Sequence, residues 1–196
     1  MSKSTDFISE YKREVVNSTI GTGIFPSVKM AQAGLETGWG ASKPGNNLFG
    51  IKASGGTSPY WNGEKVMSNT QEYIDGVAGT YNLAFRKYKS ITDSIRDHSY
   101  FLRVNDRYAN AGVFTAETPE DQARALKAAG YATSPTYAEA LIGIINQYGL
   151  KSLDTSASRI QKTGRLSLYL SLAFLGTAGI LGAIYLLVKH RNLKTT

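Results

Sequence analysis

The sequence predicts an α+β protein: a mainly helical domain with a small β-hairpin lobe, followed by one C-terminal transmembrane helix. Three observations carry that reading. Capped amphipathic stretches recur in the first 40 residues and again after residue 90, most of them closed by a glycine. Between them, Thr57 to Lys89 is rich in aromatic and β-branched residues and is punctuated by Asn-Gly and Asp-Gly, the composition of strands joined by tight turns. Beyond residue 150 a stretch poor in large apolar residues gives way to 23 residues without a charge.

Taken in order, Ser4 and Thr5 are placed to cap a first helix, in which Phe7, Ile8, Tyr11, Val15 and Val16 recur on a helical period until Gly21. Pro26 suits the first turn of a second helix, where Val28, Ala31 and Leu35 share a face, and the Gly38/Gly40 pair must end it. Glu36 therefore falls in its last turn. YWNGEKV, NTQEYIDG and TYNLAFRKYK make the hairpin lobe. Helical signals return with Ser90 and Asp93 ahead of Ile91, Ile95, His98 and Leu102 on one face, with Thr118-Pro119 opening a helix that runs to Gly130, and with Ser134-Pro135 opening one that runs to Gly149. Leu141, Ile142, Ile144 and Ile145 supply the last helix with its buried face. The expected organisation is one domain over 1–150, a linker over 151–165, a membrane span over 166–188 and a basic tail over 189–196.

The charge supports that division. Of the +7 formal charge, residues through Leu150 contribute 15 Lys/Arg against 14 Asp/Glu, while the rest contributes 7 against 1. A nearly neutral body with a basic tail argues against nucleic acid as a partner. LSLYLSLAFLGTAGILGAIYLLV, at about 1.5 Å per residue, is long enough to cross a hydrocarbon layer of roughly 30 Å. Gly179 and Ala183 form a small-xxx-small pair, which suggests helix–helix self-association. Arg159, Lys162 and Arg165 before the span balance Lys189, Arg191 and Lys194 after it, so charge leaves the orientation open. The start MSKSTDFISEYKREVV has no secretory-signal pattern, and no export from the N-terminus is expected. With no cysteine, only His98 and His190 as imidazoles and no calcium-loop spacing, neither a structural metal nor a cofactor is expected.

Glu36 raises the chemical question. A carboxylate at a helix C-terminus faces the negative end of the helix dipole, and flanking by Leu35 and Trp39 should strip water from it. Both effects favour a protonated carboxyl near neutral pH, which is what a general acid in glycoside cleavage needs. An ordinary surface glutamate fits the local pattern equally well.

LETGWG followed by NNLFGIK resembles the family 73 glycoside hydrolases, the peptidoglycan N-acetylglucosaminidases found as flagellar muramidase domains and autolysins. TQEY (70–73), FRKY (85–88), SIRDHSYFL (94–102), RYANA (107–111) and GYATSPTYAEAL (130–141) continue the resemblance in order over residues 5–150. It implies a lysozyme-like fold, peptidoglycan as substrate, Glu36 as general acid and Glu72 as the second carboxylate, acting as general base or dispensable if the substrate's N-acetyl group attacks. It places a tyrosine close to the acid, with Tyr131 preferred over Tyr137, and it pairs Asp97 with His98. Trp39, expected to pack against Glu36, and Trp61, expected to line the groove, join Tyr131, Tyr137 and Asp97 as candidate substrate-binding residues. His98 reads as a hydrogen-bonded core residue, and Asn46, Asn47 and Phe49 as shapers of the loop beneath the site. Ser134 stands where the family commonly has aspartate, and a serine there is expected to cap the following helix.

Three functions remain open on the sequence: a membrane-anchored hydrolase cutting between N-acetylglucosamine and N-acetylmuramic acid, a lytic transglycosylase, and an inactive wall-binding anchor. An enzyme with a late span and no export signal poses a topological puzzle. Carriage in the membrane of a lipid-containing bacteriophage resolves it, and translocation of a bacterial enzyme by another route is the alternative.

Overall fold

A computed structural model describes residues 2–54, 56–74, 77–161 and 163, with 71–74, 77 and 78 described through their backbone. The expected membrane span at 166–188 and the basic tail lie outside the described residues. Among the described residues no helix is long and apolar enough to cross a membrane. The elements run α1 Lys3–Thr19, α2 Pro26–Thr37, a 3-10 turn Pro44–Asn46, β1 Lys65–Ile74, β2 Val77–Arg86, α3 Ile91–Val104, α4 Asp106–Asn110, α5 Pro119–Ala128 and α6 Tyr137–Gln147.

α2 is the axis of the helical body. Val28, Met30, Ala31 and Ala33 on it have no exposed surface, and α1, α5 and α6 pack around it. Small residues make this close packing possible, most clearly at Gly34, where a Cβ would lie 2.6 Å from the Trp39 ring. The helix ends in a left-handed turn at Gly38, and Trp39 follows at φ 59, an unusual conformation for a bulky residue. A 2.8 Å bond from the Trp39 N–H to the Gly34 carbonyl holds it there.

The other end of α2 lacks a local cap, since Phe25 offers no acceptor. Asp154 supplies one from far along the chain: its carboxylate accepts from the Ser27 N–H at 2.8 Å and the Ser27 hydroxyl at 2.7 Å. This corrects the expected linker. Residues 151–161 are helical, and one compact unit extends to Ala157, because Leu150 is buried and Leu153 packs on the core beside this remote cap.

Other boundaries moved for local reasons. Ser2, not Ser4, caps α1, in a capping box closed by Thr5. α4 was not expected, and α6 begins only at Tyr137, where Ser134 provides no cap and its hydroxyl instead meets that of Thr136 at 3.3 Å. The 57–64 stretch contributes one isolated bridge, Ser58 to Trp61, and no strand.

β1 and β2 form a two-stranded antiparallel ribbon in register from Lys65 with Arg86 to Ile74 with Val77. Its base is sewn to the segment after Gly50 by Ala53 N–H to the Ala84 carbonyl and Arg86 N–H to the Ile51 carbonyl, both 2.9 Å.

Candidate active site

Glu36 is the penultimate residue of α2, in its last turn, and is exposed. The expected dehydration by its neighbours is not found: Leu35 is itself 37% exposed, and the Trp39 ring turns away to cover Gly34, meeting Tyr148 at 4.7 Å and Phe7 at 5.8 Å. Trp39 is thus packed on the body rather than against the acid. Leu35 and Trp39 therefore do not enclose Glu36, which stays exposed as a residue.

Its surroundings are nevertheless ordered. Gly50, at φ +61, brings bare backbone against the carboxylate, so that a Cβ there would lie 3.4 Å from Glu36 Oε2. The loop carrying Gly50 is wound around Asn47, whose amide donates to the carbonyls of Ile51 at 2.9 Å and Arg86 at 3.1 Å while its Oδ1 accepts from the N–H groups of Phe49 and Ile51. Leu48 and Phe49, between Asn47 and Gly50, are buried plugs.

The tyrosine nearest in function is Tyr137, reversing the preference for Tyr131. Tyr137 is 4% exposed; its hydroxyl accepts from Gln32 Nε2 at 2.9 Å and bonds the Glu36 carboxylate. The Tyr131 hydroxyl is committed to the Phe49 carbonyl at 2.9 Å, and its ring stacks on Tyr137, with centroids 5.8 Å apart. Burial first, and negative charge on Glu36 among the further causes, push both phenols well above their ordinary range. Each stays a protonated donor at any working pH. His98 continues the column, stacked on Phe49 at 4.0 Å, with its edge to Tyr131. It is fully buried, but neither ring nitrogen has a hydrogen-bond partner among the described residues, contrary to the expected bonded core histidine. Burial holds it well below the usual imidazole value, hence neutral.

Asp97 does not face a substrate. It is fully buried and accepts from Arg86 at 2.8 Å, from the Tyr88 hydroxyl at 2.6 Å and from the Ser58 hydroxyl. These partners come from β2, from the residues after it and from the 54–64 loop, so the carboxylate locks lobe to body. Arg86 in turn lies 4.4 Å from the Trp61 ring centroid, and the Trp61 indole N–H donates to the Glu64 carbonyl. Trp61 is half-buried on this lock.

Glu72 pairs with Gly79 near the outer end of the ribbon. From Ala84, where the ribbon is sewn to the body, to Gly79 is five residues, on the order of 17 Å of strand. The two candidate carboxylates therefore belong to different kinds of support, one to a packed helix and one to a projecting hairpin. The residue missed from sequence is Gln32, fully buried on α2; its position four before Glu36, one turn away on the same face, was the available signal. Lys29, also fully buried, was missed too: its amine bonds Ser18, Ile95 and Ser99 and joins α1, α2 and α3, and burial holds it well below the ordinary lysine range. Among the described residues no cluster of acidic and imidazole groups is placed to hold a metal.

A helical body that presents one glutamate at a helix end, oriented by a buried tyrosine, with a hairpin beside it, defines a carboxylate-based glycosidase-type site. The chain belongs to the glucosaminidase family, described as mannosyl-glycoprotein endo-beta-N-acetylglucosaminidase, which matches residues 13–150. It is 37% identical over 144 residues to the peptidoglycan hydrolase FlgJ of Vibrio parahaemolyticus, covering 70% of this chain and 45% of that protein. A probable N-acetylmuramidase of Lactococcus lactis is 38% identical over 145 residues, covering 69% and 32%. The chain thus spans less than half of these relatives. Among solved structures, a mutant peptidoglycan hydrolase from Sphingomonas sp. A1 aligns with TM-score 0.65 at 32% identity over 76% of this chain and 96% of that one. The catalytic domain of the autolysin Auto from Listeria monocytogenes aligns with TM-score 0.65 at 33% identity, over 79% and 89%. The fold is lysozyme-like, mainly helical with a small two-stranded sheet.

Proposed function

We propose that this protein is a peptidoglycan hydrolase that cuts the β-1,4 bond between N-acetylglucosamine and N-acetylmuramic acid, with Glu36 as general acid. The observation that carries the reading is the Glu36 carboxyl, on an exposed residue at a helix end, set between the Tyr137 hydroxyl and the bare backbone of Gly50. A glycan laid across this spot displaces the water that reaches the carboxyl, which favours its protonated form, and Glu36 then delivers that proton to the leaving glycosidic oxygen. Glu72 is the second carboxylate. It activates the attacking water when the ribbon brings it over the sugar; attack by the substrate's own N-acetyl group would make it dispensable.

The relatives' names support peptidoglycan as substrate but differ on the bond, since one is a probable N-acetylmuramidase. Mass spectrometry of muropeptides released by the full chain decides it. Reducing N-acetylglucosamine ends are expected; reducing N-acetylmuramic acid would move the cut to the other bond, 1,6-anhydro ends would make the enzyme a lytic transglycosylase, and no release from several wall types would leave a binding protein.

The uncharged stretch 166–188 supports a further part of the proposal, that the enzyme is anchored in a membrane. We assign the anchor to a virion membrane, from which the enzyme opens the wall during infection by a lipid-containing phage. The full chain should float with lipid vesicles and a chain ending at residue 165 should not. Absence of the protein from purified, lipid-containing virions would refute the virion role.

A further inference from the structure

Gln32 lies inside the body, fully buried, with its amide nitrogen 2.9 Å from the Tyr137 hydroxyl and its Oε1 without a donor among the described residues. Counting protons fixes the direction of this chain. An ionised Glu36 can only accept, so the bond it shares with Tyr137 must use the tyrosine's single proton. The Tyr137 oxygen then has only lone pairs to offer Gln32, and the Gln32 amide must be the donor. The reverse amide orientation would draw the tyrosine proton to Oε1 and present Glu36 with lone pairs alone. The orphaned Oε1 is consistent with this order, since an amide chosen only to fill the core would be expected to satisfy both ends.

We propose that Gln32 is a positioning residue for Glu36: by donating to Tyr137 it commits the tyrosine's proton to the Glu36 carboxyl, fixing one carboxyl oxygen as acceptor and leaving the other to carry the proton to the glycosidic oxygen. The inference rests on the reading of Glu36 as the acid and adds the residue that orients it without touching substrate. It also specifies a role after the proton is delivered. The new carboxylate meets a donor already aimed at it, so no reorganisation is needed at that moment.

The test uses the full chain with Gln32→Met, which keeps volume and removes the polar ends, beside Tyr137→Phe and the double variant. Gln32→Met should lower kcat about tenfold with KM within roughly twofold, the loss of the one hydrogen bond that orients the Tyr137 hydroxyl. It should also move the basic limb of the pH–rate profile upward, by less than Tyr137→Phe does because the tyrosine keeps its proton and loses only the group that aims it, and the double variant should be no slower than Tyr137→Phe alone. Additive losses, or an unmoved basic limb, would overturn the proposal. Titration of Glu36 by carboxyl 13C NMR separates this from the fate of the hydrolase reading, because it needs no turnover. If wild type proves inactive on every wall, a Glu36 midpoint raised by Tyr137→Phe and by a smaller amount by Gln32→Met still supports the relay, and a midpoint that Gln32→Met leaves unchanged sinks it. Should Gln32→Met fail to fold, Gln32→Leu carries the same comparison.

Discussion

Glu36 and Glu72 sit in regions built on opposite principles. Around Glu36 the supports are packed: α2 is enclosed by three helices, Asn47 saturates the neighbouring loop, and the Tyr131–Tyr137 stack lies against the Phe49–His98 pair. Around Glu72 the described support is the strand ladder itself, and a two-stranded ribbon has little stability of its own. The difference teaches where this site spends rigidity. On the proposed roles, the proton donor is the carboxyl on the packed helix and the water-activating carboxylate is the one on the ribbon.

The joint between the two regions is the most direct place to break the comparison. Asp97→Ala removes a buried carboxylate that accepts from Arg86 and from the Tyr88 and Ser58 hydroxyls and is expected to cost about 3–5 kcal/mol in urea unfolding, the range for a broken buried pair. A cost below about 1 kcal/mol would mean that lobe and body are held by something else. Next in size, Gly50→Ala places a methyl 3.4 Å from Glu36 Oε2 in a left-handed backbone, and should reduce kcat by about tenfold or more. Unchanged turnover would show that the carboxyl does not need its place beside Gly50.

Hydrogen exchange compares the regions without mutation. Amides of α2 should exchange only through global opening, while those in the outer half of the ribbon should exchange at least about tenfold faster. Equal protection would remove the contrast. The smallest effect is expected at His98. Its native imidazole is held well below the usual value, chiefly by burial, while an unfolded imidazole takes a proton near pH 6.5. The unfolded state therefore binds more protons below that pH, and stability present above it falls by up to about 1.4 kcal/mol per pH unit as pH drops. His98→Phe should abolish that part of the acid slope between pH 6.5 and 5, measured by urea midpoints. An identical slope would place the acid sensitivity elsewhere.

Much of the body was legible because its helices are punctuated chemically. Pro26 and Gly38 bracket α2, Thr118-Pro119 opens α5, and Ser90 caps α3 as its spacing implies. The alternating ribbon was legible too, from its β-branched and aromatic run. What stayed hidden depends on long-range geometry. Nothing local tells that Asp154 caps α2 across 127 residues, or that Asp97 points inward to Arg86 rather than outward to a sugar. Glu36 could be singled out by its place at a helix end, but its exposure could not, because that follows from the direction in which Trp39 folds back on Gly34. Tyr131 and Tyr137 are six residues apart with similar surroundings in sequence, and only the start of α6 decides which hydroxyl reaches the acid.

The central claim is that Glu36, and not the ribbon carboxylate, is the fixed proton donor. Turnover of purified peptidoglycan by Glu36→Gln and Glu72→Gln, measured side by side in the full chain, tests it most directly. A loss of about 10³-fold or more is expected for Glu36→Gln and a distinctly smaller one for Glu72→Gln. Glu36→Gln within about tenfold of wild type would contradict it.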